Sequence, residues 1–289
     1  MFHTKPSSTD ADAIACAPIR TLADSARTTT QRIKIVDRTH PARPRARLER
    51  QHESREEPLV EKILQAFNTW SFKREQPDNP LSLRLAIAHA VHRKEAVPFV
   101  FYWGKGPRNT AGAPEATCMN YLDSFADRIR RVYDKGATMR LICTDTHATL
   151  NGHSPQAIED YFRSIHGEAQ ARGFTDCRLG DLVNAAQAAG AAEDVNAEDP
   201  EPETLKKLSD CAAKWYRGEG SASEGAIEYY RLNMIEKRAV EFAFPHAVFI
   251  TFNGSEFRSL FPDHMPVFYM YSMKRGVAVK PWFLPDEAR

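Results

Sequence analysis

Apolar residues begin to recur in register at about Glu57. Leu59, Ile63, Leu64 and Phe67 fall three to four positions apart, so 57–70 reads as an amphipathic helix. Leu83, Leu85, Ile87 and Val91 predict a second helix from Leu81 to His92. The run Val97–Trp103 is continuously apolar and aromatic except for Pro98, and it stops at Gly104-Lys105-Gly106-Pro107-Arg108-Asn109, as a buried strand entering a loop would. Tyr121, Leu122, Phe125, Ile129 and Val132 share one face of a helix over 115–133, with Gly136 expected as its C-terminal cap. A second buried strand, Ala137 to Cys143, opens into Thr144-Asp145-Thr146-His147, expected as a loop. Ser154 and Pro155 have the chemistry of an N-cap and a first helical residue, and the helix they start runs over 155–172 until Gly173. Helical periodicity returns at 204–217 and 223–243, and the end of the chain is β-like, at His246–Phe252, Pro266–Met273 and Gly276–Val279 with Pro281-Trp282.

Strands that alternate with helices argue for an α/β fold, a Rossmann-like, mostly parallel sheet flanked by helices. The last strands, read as joined by short turns, are expected to add antiparallel strands near the C-terminus. The expected organisation is a single α/β domain over 56–289. It carries an exposed acidic loop near 190–204, where Glu193, Asp194, Glu198, Asp199, Glu201 and Glu203 flank Pro200 and Pro202. No Gly-x-Gly-x-x-Gly follows a strand and no Walker-type phosphate loop is present, so the sequence carries no nucleotide fingerprint.

The first 55 residues change the picture. They lack apolar periodicity, are rich in Ser, Thr, Pro and Arg, and hold 11 Lys/Arg against 6 Asp/Glu. A disordered basic N-terminal tail is expected, either a solvated segment or an arm that touches nucleic acid or acidic lipid. No apolar stretch of about 7–15 residues follows the start, as a secretory signal would require, and Asp10, Asp12, Asp24 and Asp37 weaken a transit-peptide reading. The whole chain of 289 residues has a net charge of +1, which argues against bulk attraction to nucleic acid or membrane. No run approaches the roughly 18 apolar residues of a membrane helix. Five scattered cysteines show neither a disulfide framework nor a Cys-x-x-Cys zinc knuckle, and a cytoplasmic location is expected.

In an open α/β sheet ligands bind beyond the carboxyl ends of the strands. The loop after Trp103 offers Lys105 and Arg108 among glycines, where backbone N–H groups and two cations suit phosphate or carboxylate; an ordinary solvated turn is the alternative. The segment after Cys143 offers Asp145 and His147, followed by Asn151, His153 and Ser154. Asp145 is placed to accept a hydrogen bond from an ammonium or hydroxyl, or to act as a general base. Asp145, His147 and His153 could instead ligate a divalent metal in a hydrolase, although their spacing matches no established ligand pattern. Lys237 and Arg238 are adjacent on a helix, so at most one can point squarely at a pocket.

The ordered segments resemble the pyoverdine/dityrosine biosynthesis family, which includes the isocyanide (isonitrile) synthases. Val97-Pro98-Phe99 leading to Lys105, Pro107 and Asn109 is similar to the family's strand and Lys-x-Pro-Asn-like loop. Phe125 to Tyr133 with Gly136-Ala137, a strand and Asp145 is similar to its helix, Tyr-x-x-Gly-Ala, strand and Ser-Asp-Gly, and Ser154 to Tyr161 continue the match. Met234-Ile235-Glu236-Lys237-Arg238 before Phe244-Pro245-His246-Ala247-Val248, and Gly276-Val277 with Pro281-Trp282, complete it over roughly residues 60 to 283. Thr146 replaces the family's glycine, Phe249 and Asn253 stand for its Arg and His, Phe283 for a His, and Arg108 interrupts the Lys-loop.

The resemblance implies an isonitrile synthase of secondary metabolism. The α-amine of an amino acid condenses with the ketone of ribulose 5-phosphate, a co-substrate, and no metal or redox cofactor takes part. It implies Lys105 and Arg108 for the sugar phosphate, Asp145 for the amine or as a base, and Lys237 or Arg238 for the amino acid carboxylate. Asp145 and His147 become the candidate catalytic residues, and Asn109 and Asn253 join the substrate-binding set. A downstream oxygenase of the same pathway is an implied partner. Two other classes stay open, the metal-dependent hydrolase and a non-catalytic protein binding a sugar phosphate or an amino acid.

If the tail serves neither folding nor chemistry, residues 56–289 expressed alone will unfold within a few degrees of the full chain in a thermal melt. A larger drop in midpoint would show that the tail packs on the domain.

Overall fold

The computed structural model describes residues 57–106, 108–192 and 200–271, all within one compact unit, Pro44–Arg289. The basic tail, most of the acidic loop and the strand expected near 276–282 lie outside the described residues. The helices are α1 (57–67), α2 (Pro80–Arg93), α3 (Ala113–Arg130), α4 (Asp145–Leu150), α5 (Pro155–Gln170), α6 (Leu179–Ala188), α7 (Pro202–Trp215) and α8 (Ala222–Ala243). The strands are β1 (Val97–Trp103), β2 (Ala137–Cys143), β3 (Thr175–Arg178), β4 (Val248–Thr251) and β5 (Val267–Tyr269). Among the described residues no helix is long and apolar enough to cross a membrane.

The five strands form one sheet in the order β3-β2-β1-β4-β5, and every neighbouring pair is parallel. The α/β class and the parallel, helix-flanked sheet agree with the sequence reading. The antiparallel arrangement expected near the C-terminus is not found at β5, the expected strand that the described residues include: it runs parallel to β4, with Phe249 opposite Val267 and Thr251 opposite Tyr269. The reason is the connection. Residues 252–266 form no tight turn but carry a 3₁₀ helix, Ser255–Leu260, back across the sheet, so β5 starts from the same end as β4. The antiparallel contact found at this edge is a bridge from Lys73 to Met270, flanked by Tyr271 N–H donating to the Phe72 carbonyl at 2.6 Å.

Alternation along the strands separates two layers. Phe99, Phe101, Trp103, Met139, Leu141, Val248, Ile250 and Phe268 pack beneath α1, α2, α3 and α5. Val100, Ile142, Phe249, Val267 and Tyr269 face the opposite way, toward α6, α7 and α8. Strands buried on both faces read as unbroken apolar runs, as β1 does. Gly136 (φ 63°) closes the turn into β2 and not the end of α3, which stops six residues earlier at Arg130. Two elements were not read from the sequence. β3 is the polar edge segment Thr-Asp-Cys-Arg, and α6, which packs on α8, carries Leu179, Leu182, Val183 and Ala186 at helical spacing.

Phe67 anchors α1 to the sheet. Its ring has no exposed surface and lies 5.6, 5.1 and 5.2 Å from those of Phe99, Phe125 and Phe268. Phe67→Ala should lower unfolding free energy by about 3–5 kcal/mol in a denaturant titration. A loss under about 1 kcal/mol would mean that α1 is not part of the core.

Candidate functional site

Strands β2 and β3 were added to one side of β1, and β4 and β5 to the other, so the order reverses between β1 and β4. Ligands of open α/β sheets bind at such a reversal, outside the carboxyl ends. Three segments leave the sheet there: the Gly104 loop after β1, α4 after β2, and Phe252-Asn253-Gly254 after β4.

The chain turns into α4 directly after β2, where a loop was expected. Thr144 extends the ladder by one bond, its N–H donating to the Trp103 carbonyl at 3.0 Å, and the next residue is already helical. This immediate turn carries Thr146 and His147 toward α8. There they meet Glu236, which has no exposed surface. Thr146 Oγ1 donates to Glu236 Oε1 at 2.5 Å, and His147 Nε2 lies 2.6 Å from Glu236 Oε2. The imidazole packs edge-on against Tyr229 at 4.8 Å and Tyr102 at 6.2 Å. A buried carboxylate is tolerated only when paired, so the three side chains form one unit. Two buried polar atoms beside it have no hydrogen-bond partner, the Tyr102 hydroxyl and Asn151 Oδ1. Burial, reinforced by the Glu236 charge, pushes the Tyr102 phenol well up and keeps it protonated.

Asp145, one residue from this unit, faces another way. Its Oδ1 accepts the Gly180 N–H at 3.0 Å, so the carboxylate caps the first turn of α6 from outside that helix. His153 is half-buried, and its pKa is lowered by burial and then by the Lys105 charge. The metal-ligand reading therefore fails on geometry. Asp145 serves α6, His147 pairs with Glu236, and among the described residues no group of three or more His, Cys, Asp or Glu side chains could hold a metal ion.

The Gly104 loop is neither an open anion cradle nor a solvated turn. Lys105 is 3% exposed; its Nζ donates to the carbonyls of Gly106 at 3.0 Å and Arg108 at 2.8 Å and lies over the Tyr161 ring. Burial lowers the lysine's pKa. Arg108 lies 3.6 Å from Glu115, a carboxylate without exposed surface that also accepts from Gly112 N–H and the Tyr161 hydroxyl. Asn109 is exposed. Asn253 stands at the reversal point with its Oδ1 buried and unpartnered.

The two candidates on α8 lie elsewhere. Lys237 follows Glu236 but, turned ~100° around the helix, it reaches Asp263 at 2.9 Å and the Ser259 carbonyl at 3.3 Å. Arg238 is exposed and lines a cavity of about 590 Å³ near the amino ends of β4 and β5, with Glu241, Asp263 and His264. The structure does not bring either to His147 or Lys105. Glu236, Glu115 and Tyr102 are the residues that the site reading missed. Glu236 gives a faint signal, since Tyr229, Asn233, Glu236 and Val240 recur at helical spacing and place a carboxylate on the buried face.

No family model matches the sequence, and no curated protein matches it. The structure is similar to that of the PvcA protein from Pseudomonas aeruginosa, with a TM-score of 0.52 and 16% identity over 75% of this chain and 84% of that one. The two share a fold. It is also similar to tyrosyl-tRNA synthetase complexed with L-tyrosine from Archaeoglobus fulgidus, with a TM-score of 0.43 and 9% identity over 73% of this chain and 63% of that one.

Because its pKa is depressed in the fold, His153 favours the neutral form there. Its contribution to stability is complete above the ordinary value of 6.5 and is lost as pH falls below it. Lys105→Gln removes the second cause and should raise the His153 pKa toward 6.5 in an NMR titration. An unchanged pKa would show that the two side chains do not sense one another.

Proposed function

We propose that the protein is an isonitrile synthase-like enzyme that acts on the α-amine of an amino acid with ribulose 5-phosphate as co-substrate. One observation carries the reading: the buried Thr146–Glu236–His147 unit stands at the carboxyl end of β2, one strand from the Lys105 loop. Supporting it are the ordered motifs in the sequence, and the fold shared with PvcA is compatible with it. No metal or redox cofactor enters the proposal, and a cytoplasmic location and a downstream oxygenase remain part of it.

Condensation of an amine with a ketone needs a proton taken from nitrogen and a proton given to the departing hydroxyl. An imidazole does both near neutral pH, and His147 is the candidate for it. Asp145 is assigned the part of holding α6 against α4. The phosphate falls to the Gly104 loop. Lys105 shapes that loop through two carbonyls, and Arg108, about one-third exposed, is the cation able to exchange Glu115 for a phosphate. Asn253, with its free amide oxygen at the reversal point, is the group for a substrate N–H or hydroxyl. Thr146, where the family pattern has glycine, supplies the hydroxyl that completes the pairing of Glu236.

Incubation with each amino acid plus uniformly ¹³C-labelled ribulose 5-phosphate, read by mass spectrometry, tests the reaction: one amino acid should gain a single labelled carbon. Loss of label transfer across the whole set removes the reading. Arg108→Ala should weaken calorimetric binding of ribulose 5-phosphate by roughly 10- to 100-fold, since a charge-assisted hydrogen bond contributes about 1.5–3 kcal/mol. Lys should restore only part at position 108, because a point charge lacks the bidentate fork. Equal affinity in wild type and Arg108→Ala would exclude this loop as the phosphate site.

A further inference from the structure

Glu236 accepts on both oxygens. The Thr146 hydroxyl donates to Oε1, and Oε2 lies 2.6 Å from His147 Nε2. A carboxylate has no proton to give, so a ring nitrogen at that distance must carry one; two lone pairs would otherwise face each other without solvent between them. Both backbones are pinned as well. Asn151 Nδ2 donates to the His147 carbonyl at 3.2 Å at the C-terminal end of α4, and Asn233 Nδ2 donates to the Tyr229 carbonyl at 2.7 Å within α8. Tyr229 and Tyr102 pack edge-on against the imidazole, which restricts rotation of the ring.

We infer that Glu236 is a positioning residue, which fixes the His147 ring with its proton on Nε2 and leaves Nδ1 as the nitrogen that takes the proton from the substrate. The inference rests on the reaction proposed above for its substrate, but its geometric half stands on the pair alone. A base must present a lone pair, and a neutral imidazole has only one. Which nitrogen presents it is decided by the hydrogen bond that the other makes. With Nε2 committed to Glu236, the ring can act only through Nδ1. A purely structural role would be served equally well by an apolar trio, which avoids the desolvation penalty of a buried carboxylate. This carboxylate is instead buried where the sheet presents its ligands. The Tyr102 ring packs on the same imidazole, and burial keeps its unpartnered hydroxyl protonated, so it is not a rival base.

The test is a long-range ¹H–¹⁵N spectrum of the histidine rings in the full chain at pH 8, with His147 assigned from the signals lost in His147→Asn. The expected pattern is a neutral ring protonated on Nε2 with a lone pair on Nδ1. A ring protonated on Nδ1, or on both nitrogens, overturns the inference without any variant of Glu236. In Glu236→Gln the side-chain amide can donate or accept, so the ring should populate both tautomers. With an amino acid and ribulose 5-phosphate, kcat should then fall on the order of 100-fold or more while KM changes little. Glu236→Asp should restore part of the Nε2–H population. If Glu236→Gln does not fold, the wild-type spectrum and Glu236→Asp still decide. Unchanged tautomer and unchanged kcat in Glu236→Gln overturn the inference. A wild-type protein with the Nε2–H ring that converts no amino acid overturns the proposed reaction and leaves the positioning role standing.

Discussion

A carboxylate with no exposed surface has to be paired, and the pairing of Glu236 joins two parts of the molecule that lie far apart in the chain. Its partners, Thr146 and His147, leave the sheet at the end of β2, while Glu236 itself comes from the middle of α8, about ninety residues later in the chain. Breaking one side of such a pair strands a buried charge, which is strongly destabilising. α8 is therefore held at a fixed height against the strand ends. α6 and α7 pack on α8 in turn, and the apolar contacts of Tyr229, Val240, Phe249 and Tyr269 hold the same layer to the sheet.

The same physics operates on the other side of β1. Glu115, also without exposed surface, gathers the Gly112 N–H, the Tyr161 hydroxyl and Arg108, while Lys105 closes the loop by donating to its carbonyls. Trp103 at the end of β1 donates to the Tyr161 hydroxyl and ties this network to the sheet. Two buried carboxylates thus flank the ends of β1 and β2, each surrounded by donors. A chain selected only for stability would do as well with apolar residues there. Their placement at the carboxyl ends, together with the unpartnered polar atoms of Tyr102, Asn151 and Asn253, is the reason the proposed function is assigned to this rim. Asp145 shows the converse. It lies next to the unit in sequence, yet its carboxylate is committed to the first turn of α6.

The fold was largely legible because its signals are local. Val97–Trp103 is buried on both faces and so reads as an apolar run, and α5 carries its own N-cap in Ser154 with Pro155 at its first position. β3 was illegible because an edge strand half open to solvent needs no apolar run, whereas α6 was passed over although Leu179, Leu182, Val183 and Ala186 fall at helical spacing. The direction of β5 was misread because direction depends on the path of the chain between strands, and the 3₁₀ helix in 252–266 carries no pattern that periodicity detects.

For the site, the sequence by itself determined which segments sit at the strand ends, since strand termini follow from burial, and hence that the Lys105 loop and the Asp145–His147 segment share one rim of the sheet. It also determined that Lys237 and Arg238 could not both face one pocket. Only the tertiary structure decided which partner each side chain takes. Hydrogen bonds across eighty-nine residues, as from His147 to Glu236, leave no trace in spacing, and whether a lysine turns out to solvent or in to carbonyls depends on what lies above it. Periodicity records burial, one residue at a time; pairing is a property of two residues brought together, and that is settled by packing.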